Sequence, residues 1–219
     1  MPTNPTPKRR YTSARRQTQA AETRRQIVAA AGKLFAERGY TGTTIEDIAR
    51  ESGSATQTVY AAFGSKRAIL TNLVRVSVGG DEAEKPIPER AGPQAVQGEL
   101  DQQRQLRLFA HGIDEIMARM SPVFEIMRIA AKTEPDIAEL LQQILKERLH
   151  NITQFVGWVA TNGPLRADLD TAAAGETVWL LSSAEIYHLL TIDRGWPRDR
   201  YEQWLGDTLV TLLLPEHSD

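Results

Sequence analysis

The segment from Thr23 to Leu70 has the hydrophobic spacing of three short helices followed by the start of a fourth. In the first helix, apolar residues recur with a period of about 3.6 residues and therefore share one face. They are Ile27, Ala30, Ala31, Leu34 and Phe35. Arg38-Gly39 should end this helix, because glycine suits the left-handed conformation that follows a helix. The pattern predicts an all-helical N-terminal head.

The second helix should begin at Thr43-Thr44 and end in a sharp turn. Thr43 with Glu46, and Thr44 with Asp47, each have the spacing of a capping box. Gly53 then permits the bend that leads into the third helix. This order of helix, tight turn and helix is typical of a helix-turn-helix unit.

The third helix should run from about Ala55 to Phe63, with Ser54 as its N-cap. Val59 and Phe63 face inward, since they are one helical turn apart. The residues left outside are uncharged and either small or planar, namely Thr56, Gln57, Thr58, Tyr60 and Ala61. Such a face fits the major groove of DNA and offers hydrogen-bonding groups to base edges.

A fourth helix should follow Gly64-Ser65-Lys66 and run to Val78. The free N–H groups at its start, together with Lys66, are suited to hold a phosphate. This helix starts in the head and ends in the remainder of the chain, so we expect it to transmit conformational changes between the two parts.

Charge is distributed unevenly along the chain. Residues 1–75 carry 13 Lys and Arg against 5 Asp and Glu, whereas residues 76–219 carry 13 against 23. The net charge of −2 is thus the sum of a basic N-terminal part, residues 1–75, and an acidic remainder, residues 76–219. A trihelical scaffold without a nucleic-acid role would not need this asymmetry, which is the electrostatic pattern of a DNA-binding domain joined to a regulatory one.

The head resembles the tetracycline-repressor (TetR) family in less than a quarter of the chain. The residues that carry the resemblance are Gly39-Tyr40, Thr43-Thr44, Ile48-Ala49, Gly53, Val59-Tyr60, Phe63 and Ser65-Lys66. The resemblance implies an all-α homodimer that binds a palindromic double-stranded operator and usually releases it when a small molecule enters the C-terminal domain. It also implies backbone contacts at Thr43, Thr44, Tyr60 and Lys66, and base contacts at Gln57 and Thr58. Ala61 departs from the family, which usually has histidine or another larger residue there, so one phosphate contact is in doubt.

Length and composition agree with a two-domain regulator. The 219 residues suffice for a head at 20–66 and a larger domain at 67–219, preceded by a basic arm at 1–19. There is no cysteine, which excludes disulfides and thiol catalysis. No apolar run of about 18 residues and no signal-peptide pattern occurs, so we expect a cytoplasmic protein without a membrane partner.

Two polar segments have open roles. The arm at residues 1–19 should be disordered alone, and its Arg9 and Arg10 either neutralise phosphates along a DNA groove or belong to a solubilising tail. Residues 79–98 gather glycine, proline and charge, which predicts a loop rather than a packed element. That loop is either a hinge or flap over an effector pocket, or a passive surface connection.

The body from Leu100 onward should form five helices. Their apolar stripes lie at Leu106–Met120, Val123–Ala131, Leu141–Val159, Val178–Leu190 and Tyr201–Leu214. The fourth should run from an Asp170 cap to about Ile192. This fourth helix and the last one are each apolar on several faces, so each must bury more than one face. Packing of these two helices on the same pair of a second subunit would make a four-helix homodimer interface.

The body also offers residues for a mostly apolar effector pocket. Its candidate residues are large, adaptable or aromatic, with one hydroxyl: Met117, Phe124, Met127, Phe155, Trp179 and Ser182. The same residues would also suit an ordinary core. Since no fixed charge stands out among them, a neutral or lipophilic effector is favoured.

An enzyme is the remote alternative. Glu147-x-x-His150 and Glu185-x-x-His188 have the spacing used by di-metal carboxylate bundles, but Glu147 and His150 fall on the polar side of their helix. We therefore expect no catalytic residues, no metal and no cofactor. The favoured hypothesis is a ligand-responsive repressor, and the second is a DNA-binding regulator without an effector, either constitutive or activating.

Overall fold

The computed structural model describes residues 8–216, in which helices are joined by short connections and no strand occurs. The all-α prediction is therefore confirmed. The chain separates into two compact units, with the boundary between Leu73 and Val74. This boundary lies within a helix, whereas the sequence suggested a division after residue 66.

The N-terminal unit consists of α1 (Lys8–Arg38), α2 (Ile45–Glu51), α3 (Thr56–Phe63) and the first part of α4 (Lys66–Gly79). Its core contains the predicted apolar stripe of α1 together with residues from the other three helices. These buried residues are Ile27, Ala31, Leu34, Phe35, Ile48, Val59, Ile69 and Leu70. The turns need glycine, because Gly39 and Gly53 have positive φ angles of 74° and 65°.

The first helix begins earlier than the sequence suggested. Residues 8–19 belong to α1 rather than to a disordered arm. The segment from Lys8 to Ala31 contains neither proline nor glycine and is rich in alanine, arginine and glutamine, so a helix nucleated by the buried stripe extends without interruption. Residues 1–7 lie outside the described part of the chain, as do the side chains of Arg9 and Arg10.

Helix α2 starts with one capping box rather than two alternatives. The Thr44 hydroxyl accepts a hydrogen bond from the Asp47 N–H at 3.1 Å, and the Asp47 carboxylate accepts the Thr44 N–H at 3.2 Å. Thr43 is buried instead and donates its hydroxyl proton to the Gly39 carbonyl at 2.9 Å. The prediction that Ser54 caps α3 is wrong, because Ala55 is the extended residue before the first helical turn.

Residues 79–98 are not a simple loop. They contain two single turns of 3₁₀-helix at Gly80–Glu82 and Ile87–Glu89, followed by α5 (Ala91–Gly98). The Glu82 carboxylate accepts the Ala91 N–H at 2.8 Å. Val96 is buried against α6, where its carbonyl accepts the Gln105 side chain at 2.9 Å. The prolines and glycines therefore lie among short helical turns, and these turns make packing contacts with neighbouring residues.

The C-terminal unit contains α6 (Gln102–Ala130), α7 (Pro135–Asn162), α8 (Thr171–Leu181), α9 (Ala184–His188) and α10 (Arg198–Leu213). Helix α6 packs against both α7 and α10, and α7 packs against α8. The core of this unit includes Leu106, Ala110, Met127, Ile137, Val156, Val159, Val178, Tyr201, Leu205 and Leu209.

Two predicted helix boundaries in this unit are wrong. The first two predicted helices are one, and Pro122 lies inside α6. Proline removes a backbone hydrogen bond, but Met120 and Val123 on either side stay buried, so tertiary packing outweighs the local preference. The predicted helix to Ile192 is interrupted after α8, because Ser183 caps α9 by accepting the Ile186 N–H at 3.3 Å.

A turn of π-helix follows α9 at Leu189–Asp193. Helix α8 begins with the predicted Asp170 cap, which accepts the Ala173 N–H at 2.8 Å. None of the helices within residues 8–216 combines the length and apolar character needed to cross a membrane.

Candidate functional site

Helix α3 presents the polar face that its sequence predicts. Gln57 and Thr58 are exposed, and Tyr60 is 48% exposed, whereas Val59 is fully buried. Thr56, at the start of the helix, is half-buried. Burial of Val59 fixes the rotation of α3 about its own axis, so the uncharged side chains point away from the N-terminal unit.

The two threonines before α2 serve the N-terminal unit itself. Thr43 is fully buried, and its hydroxyl contacts the end of α1. Thr44 is exposed, but its hydroxyl also donates to the Asp47 carboxylate at 2.8 Å. These hydrogen bonds from Thr44 lower the pKa of Asp47, since they favour its charged form.

Lys66 lies at the start of α4 and turns toward the preceding elements. Its Nζ donates to the carbonyl oxygens of Tyr40 at 2.8 Å and Thr43 at 2.9 Å, and it lies 4.2 Å from the centre of the Tyr40 ring. The ammonium therefore fastens α4 to the connection between α1 and α2. This differs from the expectation that Lys66 is free to hold a phosphate. Ser65 caps α4 by accepting the Ala68 N–H at 3.1 Å.

Arg24 is a residue of this surface that the sequence reasoning missed. Its guanidinium donates to the Ala62 carbonyl and lies 4.3 Å from the centre of the Phe63 ring. Both contacts hold the end of α3 against α1. The signal was present in the sequence, since Arg24 precedes Ile27 by one helical turn and so continues its stripe.

The predicted effector residues fall into different surroundings. Met117, Met127 and Phe155 are buried, and Phe155 stacks on Phe109 with ring centres 4.0 Å apart. Phe124 borders an open groove of about 770 Å³ between α6, α7 and α9. Met127 and Phe155 thus serve as core, whereas Phe124 faces a groove.

Trp179 and Ser182 both accept hydrogen bonds from Arg148, a charged residue that was not predicted from the sequence. Arg148 of α7 donates to the Trp179 carbonyl at 2.9 Å and to the Ser182 hydroxyl at 2.7 Å. Burial lowers the pKa of the Arg148 guanidinium to about 10, which leaves it charged at neutral pH. Arg148 occupies a position on the apolar stripe of α7, one turn before Ile152, and that position was the available signal.

The two Glu-x-x-His pairs do not come together. Glu147 accepts a hydrogen bond from Gln143, whereas Glu185 forms an ion pair with Arg128. His188 lies 3.6 Å from Asp193. Across residues 8–216, no three histidine or acidic side chains form a group able to hold a metal ion.

Comparison with known proteins identifies the N-terminal unit. Residues 27–73 match the family model described as bacterial regulatory proteins, tetR family. Over 69 residues, the chain is 53% identical to the HTH-type transcriptional regulator HbdR of Aromatoleum sp. (strain CIB). That match covers 32% of this chain and 29% of the relative, so it spans less than a third of either protein.

Solved structures share the fold of most of the chain. NalD of Pseudomonas aeruginosa, described as the secondary repressor of the MexAB-OprM multidrug efflux pump, has a TM-score of 0.67 at 19% identity, covering 91% of this chain and 99% of that one. A transcriptional regulator from Saccharomonospora viridis in complex with choline has a TM-score of 0.65 at 22% identity, covering 90% and 100%. Residues 27–73 thus match the tetR family of bacterial regulatory proteins in sequence, and most of the chain shares its helical fold with these solved structures.

Proposed function

We propose that this protein is a ligand-responsive transcriptional repressor that binds a palindromic operator as a cytoplasmic homodimer. The observation that carries the proposal is the exposed, uncharged face of α3, with Gln57, Thr58 and Tyr60 pointing away from the N-terminal unit. Uncharged hydrogen-bonding groups on a short helix suit base edges in a major groove. The basic character of residues 1–75 would attract the DNA backbone to the same unit.

Within this proposal, the residues have different tasks. Gln57 and Thr58 contact bases, Tyr60 and Thr44 contact phosphates, and Thr56 belongs to the uncharged face that meets the DNA. Thr43 and Lys66 act through the orientation of the helices, since both are bound within the unit. Arg9 and Arg10 add charge to the beginning of α1 for contacts with the DNA backbone.

Homodimerisation is proposed through the last helices. Leu180, Leu189 and Ile192 are 56%, 48% and 64% exposed, which is unusual for large apolar side chains so close together in the chain. A shallow groove of about 470 Å³ on α10 is lined by Trp196, Trp204 and Leu212 among others. A second copy would cover these residues, and binding of the dimer to a palindrome would require its two α3 helices to lie one DNA turn apart, about 34 Å.

Release by a small molecule is proposed for the C-terminal unit. The choline complex named above shows a ligand bound to a protein of this fold. A ligand that binds better to a dimer with altered spacing of its α3 helices would shift the population away from DNA, and by linkage operator DNA would weaken ligand binding equally. Helix α4 begins in one unit and ends in the other, so it is the proposed route of coupling.

Selection of bound fragments from a random DNA pool by the full-length protein tests the DNA-binding proposal. Recovery of one palindrome is the expected result, and recovery of no preferred sequence would contradict it. Screening compounds for release of that palindrome then separates a ligand-responsive repressor from a regulator without an effector. Transcription from a promoter carrying the palindrome, with and without the protein, distinguishes repression from activation.

A further inference from the structure

Arg148 carries a positive charge into the C-terminal unit without an acidic partner. It donates hydrogen bonds to the Trp179 carbonyl and the Ser182 hydroxyl. Glu185, the acid that interacts with it electrostatically, is ion-paired with Arg128. In the described part of the chain, no carboxylate lies within ion-pair distance of Arg148. A guanidinium offers more N–H donors than these two bonds use, and an uncompensated buried charge is unfavourable.

Two further donors near this charge are buried and unsatisfied. Among the described residues, the Trp179 Nε1 and the Tyr201 hydroxyl are the buried side-chain polar atoms that lack a hydrogen-bond partner. The Arg148 guanidinium lies 5.5 Å from the centre of a Trp179 ring, and it interacts electrostatically with Tyr201. Tyr201 is fully buried, and its burial raises the pKa of its hydroxyl, which therefore remains protonated at neutral pH.

All three groups need a hydrogen-bond acceptor. Arg148 and the Trp179 indole can only donate, and the Tyr201 hydroxyl has a proton to donate. Buried polar groups in proteins are normally paired, so the unpaired Trp179 indole and Tyr201 hydroxyl, together with a guanidinium that has spare donors, indicate a missing acceptor. A negatively charged acceptor would satisfy the hydrogen bonds and also compensate the charge of Arg148.

We propose that Arg148, Trp179 and Tyr201 bind the carboxylate of an amphipathic effector. A carboxylate offers two coplanar oxygens, which match the planar edge of a guanidinium. Ile152, one turn after Arg148 on α7, is buried, so the surroundings of this charge are apolar and favour an effector with an apolar part. This inference rests on the proposed ligand response and replaces the expectation of a neutral effector with an anionic, partly apolar one.

A purely structural role for Arg148 makes different predictions. Its contact with the Trp179 carbonyl would then stabilise the C-terminal end of α8, where backbone carbonyls lack helical partners. In that case the unsatisfied Tyr201 hydroxyl would have no function. Removing it by Tyr201→Phe would leave ligand binding unchanged.

The test uses the full-length protein without DNA, labelled at its tryptophan indole nitrogens. The probes are decanoate, benzoate and phenylacetate, each compared with the corresponding primary alcohol and with an alkyl or aryl phosphate. Trp179→Phe assigns the Trp179 resonance. Binding of a carboxylate should move the Trp179 indole signal, and the matching alcohol should move it much less. A preference for phosphates would overturn the choice of carboxylate, and no shift with any acid would overturn the site.

Variants then connect the signal to the named groups. Arg148→Gln and Tyr201→Phe should each weaken carboxylate binding, by about ten- to a hundredfold for Arg148→Gln. Tyr187→Phe is the matched control, since its hydroxyl interacts with Thr191 rather than lacking a partner. Equal carboxylate affinity in wild type and Tyr201→Phe would contradict the proposal. Binding without release of operator DNA would instead contradict the ligand-responsive function and leave the site in place.

Discussion

The Nζ atom of Lys66 lies 2.8 Å from the carbonyl oxygen of Tyr40 and 4.2 Å from the centre of the same tyrosine's ring. A single side chain thus joins the start of α4 to the α1–α2 connection by both a charged hydrogen bond and a cation–π contact. The residue that the sequence suggested for phosphate binding instead orients the helix that carries it.

Replacement of Lys66 by methionine should therefore affect folding first. Loss of the two carbonyl contacts should lower the free energy of unfolding by about 1 to 3 kcal/mol, measured by denaturant unfolding. The slope of log affinity for DNA against log salt concentration should stay at the wild-type value, since no phosphate contact is lost. A decrease of about one in that slope would show instead that Lys66 touches the DNA backbone.

Gln57 should determine one base of the operator. Gln57→Ala should relax the choice of base at a single position, where we expect an adenine, by about 1 to 3 kcal/mol. Selection from a random DNA pool measures the effect. The matched control is Gln26→Ala, since Gln26 is an exposed glutamine of α1 that is hydrogen-bonded to Glu22. An unchanged preference in Gln57→Ala would remove Gln57 from the base-contacting residues.

The contact between α6 and α10 should make stability depend on pH. The Glu202 carboxylate, 3.1 Å from His111, raises the pKa of His111 in the folded protein above its ordinary value. The stabilisation that this contact gives the folded protein is therefore complete below about pH 6.5, and it is lost as pH rises through the folded-state pKa of His111. Thermal unfolding across that range should show a smaller pH dependence for His111→Gln than for wild type. His150→Gln, on the exposed side of α7, is the control.

The exposed apolar residues of the last helices should determine oligomeric state. Leu180→Glu or Ile192→Glu should convert the dimer to a monomer, because an unpaired carboxylate cannot be buried at an apolar interface. Light scattering after size-exclusion chromatography gives the mass. Leu100→Glu is the control, since Leu100 is 75% exposed and lies before α6. If both the Leu180→Glu and the Ile192→Glu variants remained dimeric, the interface would lie elsewhere.

Arg119 should affect the response to ligand rather than DNA binding. Its Nε donates to the Ser77 carbonyl at 3.0 Å and so ties the end of α4 to α6 within the C-terminal unit. Arg119→Ala should leave operator affinity near wild type in the absence of ligand but require more ligand for release. Arg107→Ala, which removes a surface ion pair with Asp207, should change neither quantity. Unchanged release in Arg119→Ala would exclude this contact from the coupling.

Local chemistry explains why so much of the N-terminal unit was predictable. The stripe from Ile27 to Phe35, the Thr44 cap and the positive-φ glycines each depend on residues close together in sequence. The outer face of α3 followed from the inward-facing positions of Val59 and Phe63, one helical turn apart. Predictions failed where distant residues compete, as at Pro122, which packing keeps inside α6, and in the turns of residues 79–98, where Glu82 reaches Ala91.

Helical period and capping are local properties, so the helical class, the order of the helices around the turn at Gly53 and the uncharged character of α3 could be predicted from the residues alone. The inward orientation of Thr43 and Lys66, and the contacts of Arg148 with Trp179 and Ser182, depend on packing between helices. Whether a charged or polar side chain is exposed or buried depends on acceptors supplied by other helices. Those acceptors become neighbours only when the chain has folded.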